Sequence, residues 1–198
     1  MILTAVEGRV LRITLNRPEQ RNLLTVELAR ELVAAVEAAQ SDDSVGAVLL
    51  DARGEFFCYG GEFAGLGTLR KPLVASVKGA ALGAGMALVG SAHIAVAAQG
   101  TSFGLLEIRN GAFPAGLAAV ASAIGWRRAT ELALTGRVCS TPEAFQMGLV
   151  TEVAPAFEFE ERAEAIAQLV AEADGEAVSR ILTARWPEAR LMDPDCSS

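Results

Sequence analysis

Cysteine, basic charge and long apolar runs are all scarce in this sequence. Its three cysteines, Cys58, Cys139 and Cys196, are odd in number, far apart and without Cys-x-x-Cys spacing. That excludes a disulfide framework and a zinc site, so no metal is expected. It fits a reducing cytoplasm, the localisation this usage predicts. Lys and Arg number 17 against 24 Asp and Glu, a net charge of −7. So acidic a chain lacks the basic face that nucleic-acid binding requires, although a few local cations can still meet a small anionic ligand. The N-terminal "MILTAVEGRVLRITLNRPEQ" carries charge throughout and shows no basic-then-apolar leader pattern. No run reaches the ~18 uncharged apolar residues of a membrane span. The most apolar stretch, residues 79–98, is broken by glycines, a serine and His93, and reads as a buried core element.

What the chain has in quantity is apolar surface to bury. Hydrophobic residues make up 52% of 198, enough for one domain with an adequate core. "RVLRITLN" (9–16) alternates like a half-buried strand and ends at Pro18. Thr25 is placed to cap a helix over 25–40, with Leu28, Leu32, Val36 and Ala39 on one face. "VGAVLLDA" (45–52) is a continuous apolar run, as in a strand covered on both faces. "KPLVASVKG" (71–79) and "HIAVAA" (93–98) predict further strands, with a helix over "ALGAGMALVGSA" between them. "SFGLLEIRNGAFPAG" reads as a loop with short strand pieces. Four helical segments then follow, "LAAVASAIG", "RRATELALTG", "TPEAFQMG" and "FEERAEAIAQLVAEA". The class is α/β, without a visible linker or repeat.

The glycine-rich run "GAALGAGMAL" (79–88) after "PLVASV" raises two chemistries. As a dinucleotide cradle it is incomplete. "GAGMAL" meets G-x-G-x-x-G at its first two glycines only, and no acid stands about 20 residues on for a ribose. As half of an oxyanion hole it has a partner, "CYGGE" (58–62), which also follows a strand. Two backbone N–H groups at such turns can hold a thioester oxygen as it becomes an enolate, and small side chains let the substrate lie close.

These stretches resemble the crotonase, or enoyl-CoA hydratase/isomerase, superfamily. "LNRPEQRNLLT" resembles its first loop, and "SVGAVLLDARGEFFCYGGEF" its strand and first oxyanion segment. "KPLVASVKGAALGAGMAL" resembles the second segment, "FGLLEIRNGAFPAG" the active-site loop, and "RRATELALTGRVCSTPEAFQMGLVTEV" the later helices. The resemblance implies a crotonase-like fold of repeated ββα units. Residues 1–150 would form the core with the active site, and 151–198 a shortened C-terminal helical region. It implies backbone donors at Gly61 and Ala84 and a catalytic carboxylate at Glu107. Of the two glutamates that frame substrate in the family's hydratases, the first falls on Ala87 and is missing. Arg17, Arg21, Tyr59 and Glu62 are substrate-binding candidates by position, with Lys71 a further cation for CoA phosphates. Coenzyme A would enter as part of the substrate, with no separate cofactor. The partners implied are an acyl-CoA or acyl-carrier thioester and further copies of the chain, as a homotrimer or hexamer.

With one carboxylate, the reading that results is a Δ3,Δ2-enoyl-CoA isomerase: Glu107 moves a proton from the α to the γ carbon. Decarboxylation of a malonyl-type thioester, with Tyr59 or His93 assisting, and hydration are the alternatives within enzymes. Outside them stands a non-catalytic acyl-thioester-binding or assembly protein. Only "FAGLGTLR" (63–70) separates Glu62 from Lys71, where relatives carry a longer segment over the acyl pocket. His93 otherwise reads as a structural histidine with a local hydrogen bond. Tyr59, Trp126 and Trp186 read as packing residues, and Cys58 as an inert thiol.

Overall fold

The computed structural model describes residues 1–184 apart from Ala64 and Thr68. Trp186 and Cys196 therefore lie outside the described residues. Strands β1 (Ile2–Glu7), β2 (Val10–Leu15), β3 (Ala47–Ala52), β4 (Leu73–Val77), β6 (Ile94–Ala98) and β9 (Glu152–Ala154) form one six-stranded sheet in the order β1-β2-β3-β4-β6-β9. β1 is an antiparallel edge; every other pairing is parallel. Strands β5 (Ala80–Leu82), β7 (Ser102–Gly104) and β8 (Val138–Ser140) form a second, three-stranded sheet.

Strand alternation divides the core. On one face of the large sheet, Ile13, Leu15, Val48, Leu50, Leu73 and Ala75 join helix α1 (Val26–Ser41) and helix α2 (Ala84–Ser91). On the other, Ala47, Leu49, Val74 and Val96 pack under helix α6 (Phe159–Ala171), which presents Ala163, Ala167 and Ala171 at helical spacing. These alanines let α6 lie close across β2, β3, β4, β6 and β9. Helix α1 begins where its sequence says it should. Thr25 Oγ1 accepts from the Leu28 N–H at 3.3 Å, and the buried face is Leu28, Leu32, Val36 and Ala39. Burying each leucine there contributes about 2 kcal/mol. Helices α3 (Leu117–Ile124), α4 (Trp126–Thr135), α5 (Thr141–Met147) and α7 (Gly175–Thr183) complete the described chain.

Four differences from the sequence reading matter. The helix expected over 81–92 starts only at Ala84, because Ala80–Leu82 is strand β5, paired in parallel with β7. The expected boundary at residue 150 falls just before β9, which pairs with β6, so residues 151–184 supply a strand and a covering helix to the sheet itself. Strand β1 and helix α7 were not expected; β1 is largely an exposed edge, and α7, although its apolar residues fall on one side, buries no residue fully. Trp126 is not a packing residue: it opens α4 with 62% of its surface exposed.

The parallel strands bring three loops to one edge. The chain leaves the C-terminal ends of β2, β3 and β4 into residues 16–24, 53–62 and 78–83. In open parallel sheets this is the edge where ligands bind.

Candidate active site

The loop after β2 is held by a residue that sequence reasoning passed over. Asn22 is fully buried, in the left-handed region at φ 53°. Its Oδ1 accepts from the Arg17 N–H at 2.8 Å, and its Nδ2 donates to the carbonyls of Arg53 and Phe56, both at 2.8 Å. Asn22 thus ties the first loop to the segment leaving β3. The available signal was its residue type: asparagine is among the few non-glycine residues that accept this backbone region.

Backbone pairing then sets the two glycine-rich segments, 58–62 and 79–85, side by side. The Cys58 N–H donates to Ala80 O at 3.1 Å, and the Leu82 N–H donates to Cys58 O at 3.0 Å. On its other side the first segment is stitched to the first loop: the Leu24 N–H donates to Gly60 O at 2.9 Å and the Glu62 N–H to Leu24 O at 2.7 Å. Gly61, between them, has φ 110°, and a Cβ on it would stand 2.1 Å from Leu24 O. Gly83 has φ 51° and ψ −117°, a conformation open essentially to glycine alone. It turns the chain from β5 into α2, so that Ala84 is the first residue of the helix. Among the described residues neither the Gly61 nor the Ala84 N–H donates to a protein acceptor. For Ala84 this is what a first helical residue leaves free, at the positive end of the helix dipole.

Glu107 comes to the same place by a parallel route. Strand β7 runs beside β5, with Leu82 opposite Gly104, and the Gly83 N–H donates to Gly104 O at 2.8 Å. Three residues past β7, Glu107 opens a short 3-10 helix, Glu107–Asn110. Its Oε1 lies 2.8 Å from the point a Cβ on Gly83 would occupy, and the Gly60 Cα lies 3.4 Å from that point. Carboxylate and both glycine turns therefore converge. Its other oxygen, Oε2, is buried and has no hydrogen-bond partner among the described residues. Such an atom is costly unless something else completes it, and it is most often found where a ligand or reacting group does.

Ala87 stands one helical turn beyond Ala84 and is fully buried. Its Cβ is 2.1 Å from where a Cβ on Gly116 would be, and Phe63 Cδ1 is 3.6 Å from the same point. The position thus lies against Gly116, with Phe63 close by.

The remaining candidates separate. Arg21 and Tyr59 form one surface cluster beside Gly60, with the guanidinium 5.0 Å from the Tyr59 ring centroid and 5.8 Å from that of Phe56. The Tyr59 N–H also donates to Arg21 O at 3.1 Å. Arg17 is engaged locally, by Thr25 Oγ1 at 3.3 Å and by Gln20 Oε1. Glu62 is exposed. Lys71 does not join the site: it precedes β4 at the opposite edge of the sheet, and its Nζ donates to Asp42 O. His93 sits at that edge too, its Nδ1 accepting from the Leu73 N–H at 3.0 Å, in keeping with the structural reading.

Cys58 is buried, with its thiol donating to Gly60 O at 3.5 Å. Burial pushes the thiol from an ordinary 9.0 up to about 11, because the thiolate would lose its hydration. Native protein at pH 8 is therefore expected to resist iodoacetamide at Cys58 until unfolded. The sign for stability follows. Between pH 9 and 11 the unfolded thiol has lost its proton and the folded one has not, so unfolding releases a proton and stability falls as pH rises. Denaturant titrations at pH 8 and pH 10 measure this, and Cys58→Ala should shrink the difference. Fast alkylation of Cys58 itself in the native protein at pH 8, read by peptide mapping, would sink the account.

The strand arrangement is crotonase-like, and the chain belongs to the enoyl-CoA hydratase/isomerase family. That family matches residues 5–70 and 62–189 in two pieces that overlap at 62–70. A probable enoyl-CoA hydratase of Rhizobium meliloti is 36% identical over 174 positions, spanning 77% of this chain and 68% of its own. A trans-2-decenoyl-[acyl-carrier-protein] isomerase of Streptococcus mutans is 31% identical, spanning 77% of this chain and 68% of its own. The crystal structure of an enoyl-CoA hydratase from Mycobacterium avium superposes with a TM-score of 0.83 at 31% identity, over 92% of this chain and 86% of that one. Among the described residues no helix is long and apolar enough to cross a membrane.

Proposed function

We propose that the protein is an isomerase of 3-enoyl thioesters, with Glu107 as its single proton carrier. The reading rests on one observation: the Glu107 carboxylate, with Oε2 buried and unpartnered, stands against the glycine turns that present the Gly61 and Ala84 N–H groups. Glu107 removes a proton from the α carbon, and the electron pair moves onto the thioester oxygen. The two N–H groups hold that oxygen while it carries charge. Glu107, now protonated, returns the proton at the γ carbon, and the double bond moves from the 3 to the 2 position. Atoms and charge balance with no water consumed.

Hydration needs a held, activated water as well as a proton donor, and the position where a second carboxylate would stand is Ala87 against Gly116 and Phe63. Most of the relatives are named hydratases, one an isomerase acting on an acyl-carrier thioester. Decarboxylation is supported less, since His93 lies at the far edge and Tyr59 is engaged with Arg21. The protein should be given a 3-enoyl-CoA, a 2-enoyl-CoA and a malonyl-type CoA in parallel, with double-bond position read by NMR. Conversion of the 3-enoyl substrate alone is expected. Consumption of either other thioester with the 3-enoyl one untouched would overturn the reading. Binding of all three without turnover would mark a thioester-binding protein.

A further inference from the structure

The three parallel strands that carry the site at one edge of the sheet gather cations at the other. Arg9 stands before β2, Val45 and Gly46 before β3, and Arg70 and Lys71 before β4. These strands are neighbours, so their starts lie side by side, with those of β2 and β4 about 10 Å apart. The Gly46 N–H donates to Arg9 O at 2.7 Å, and the Val48 N–H to Pro72 O at 2.8 Å. From α1, Gln40 Oε1 accepts from the N–H groups of Arg70 and Lys71 at 2.7 and 3.1 Å, which fixes the segment bearing both charges. Gly46 lets helix α6 end directly on the strand start, where a Cβ would stand 2.2 Å from Ala171 O. The turn from α6 into α7 then closes the far side with Ala173, Gly175, Val178 and Ser179.

What results is a pocket of about 310 Å³, at the small end of the range for small-molecule sites. Arg9, Arg70 and Lys71 line it against one acid, Asp43, in a chain whose net charge is −7. Among the described residues neither the Arg9 nor the Arg70 guanidinium makes an ion pair or a hydrogen bond. The flanking acids have partners of their own: Asp42 accepts from the N–H and the hydroxyl of Ser44, and Asp174 from the Ala177 N–H. The C-terminal end of α6 and the N-terminal end of α7 meet at this turn with opposed dipoles, so the side chains set the sign of the pocket. Lys71 lies below its ordinary pKa, chiefly because burial disfavours its charge; Asp42 and Asp43 offset this in part, and the nearby charge of Arg9 adds to it. A bound anion would relieve both strains.

We propose that this pocket binds a small molecule through a phosphate group, at the edge of the sheet away from the thioester site. Two uncommitted guanidinium forks and an ammonium suit a group that accepts several N–H bonds at once and carries more than one negative charge. None of the lining residues takes part in the thioester site, so the pocket can fill whether or not a thioester is bound.

Calorimetry of the intact protein at low ionic strength, with inorganic phosphate, pyrophosphate and citrate, tests this. Pyrophosphate is expected to bind most tightly, one molecule per chain, and more weakly as sodium chloride is added. Arg9→Gln and Arg70→Gln should each lower that affinity about tenfold, as for loss of a hydrogen bond to a charged group. Both side chains are exposed, so the fold should survive their loss. Ser179→Glu leaves every cation in place and sets a carboxylate on the opposite wall; it too should weaken binding. S-butyryl-pantetheine, a thioester without phosphate, should not displace pyrophosphate. Pyrophosphate that fails to bind, or whose affinity none of the three variants changes, would overturn the pocket. Displacement by the pantetheine thioester would put the anion at the thioester site instead. Citrate bound as tightly as pyrophosphate would overturn the choice of phosphate.

Discussion

Glu107→Gln is expected to slow transfer of the double bond by about 10³-fold or more in kcat, with KM for the thioester little changed. General-base catalysis contributes roughly 10²- to 10⁴-fold, and a value toward the upper end is expected because residue 87 is alanine and offers no carboxylate to take over. Glutamine keeps the shape of the side chain, so the contact with the Gly83 turn survives. It removes a charge from an oxygen that is buried without a protein partner. Burying a neutral amide there costs no more than burying the carboxylate, so thermal stability should be equal or higher. The measurement is single-turnover isomerisation alongside a melting curve. A wild-type rate would remove Glu107 from the chemistry. A collapsed melting temperature would show that the residue is structural.

The fold was legible in the sequence wherever a period extended over several turns or a whole strand. Helix α1 is the clearest case: a capping Thr25 followed by Leu28, Leu32, Val36 and Ala39 leaves no other reading, and the same four residues are the buried ones. Strand β3 was equally plain, because both its faces are covered and Ala47–Leu50 is an apolar run, with Asp51 its one polar residue. Strand β5 was hidden. Ala80, Ala81 and Leu82 suit a helix as well as a strand, and only pairing with β7, some 20 residues on in the chain, decides it. Strands β8 and β9 are three residues each, too short to show alternation.

The site divides in the same way. Gly61, Ala84 and Glu107 were named as candidates through motifs that each lie within one stretch of chain, and the structure brings those stretches together. The wall formed by Phe63, Ala87 and Gly116 was not, because it exists only where three separated segments meet. Nor was the role of Asn22, whose three hydrogen bonds reach to Arg17, Arg53 and Phe56. What the sequence did show at Ala87 was an absence. The structure adds that Gly116 and Phe63 lie beside that position.

Gly61→Ala should then have the second large effect, and it separates an oxyanion donor from a glycine that merely permits a turn. At φ 110° alanine is strained by about 1–3 kcal/mol before any contact is counted. Its Cβ would stand 2.1 Å from Leu24 O and 2.7 Å from both the carbonyl carbon and the nitrogen of Leu24. These are backbone atoms, so no rotamer relieves the clash and the segment must move. Moving it strains the bonds on either side, from Leu24 N–H to Gly60 O and from Glu62 N–H to Leu24 O. A stability loss of about 3 kcal/mol is expected. The same displacement turns the Gly61 N–H away from the thioester oxygen, which should lower kcat by about 10²- to 10³-fold. Both effects would follow from a structural role alone if the variant were largely unfolded, so the rate must be taken where the melting curve shows it folded. The decisive readout is the ¹³C resonance of a carbonyl-labelled saturated acyl-CoA. Hydrogen bonds from Gly61 and Ala84 should move that resonance downfield on binding to the wild type, and the variant should lose part of the shift while still binding the ligand. A folded Gly61→Ala protein with the full shift and a wild-type rate would mean that the Gly61 N–H does not face the substrate oxygen.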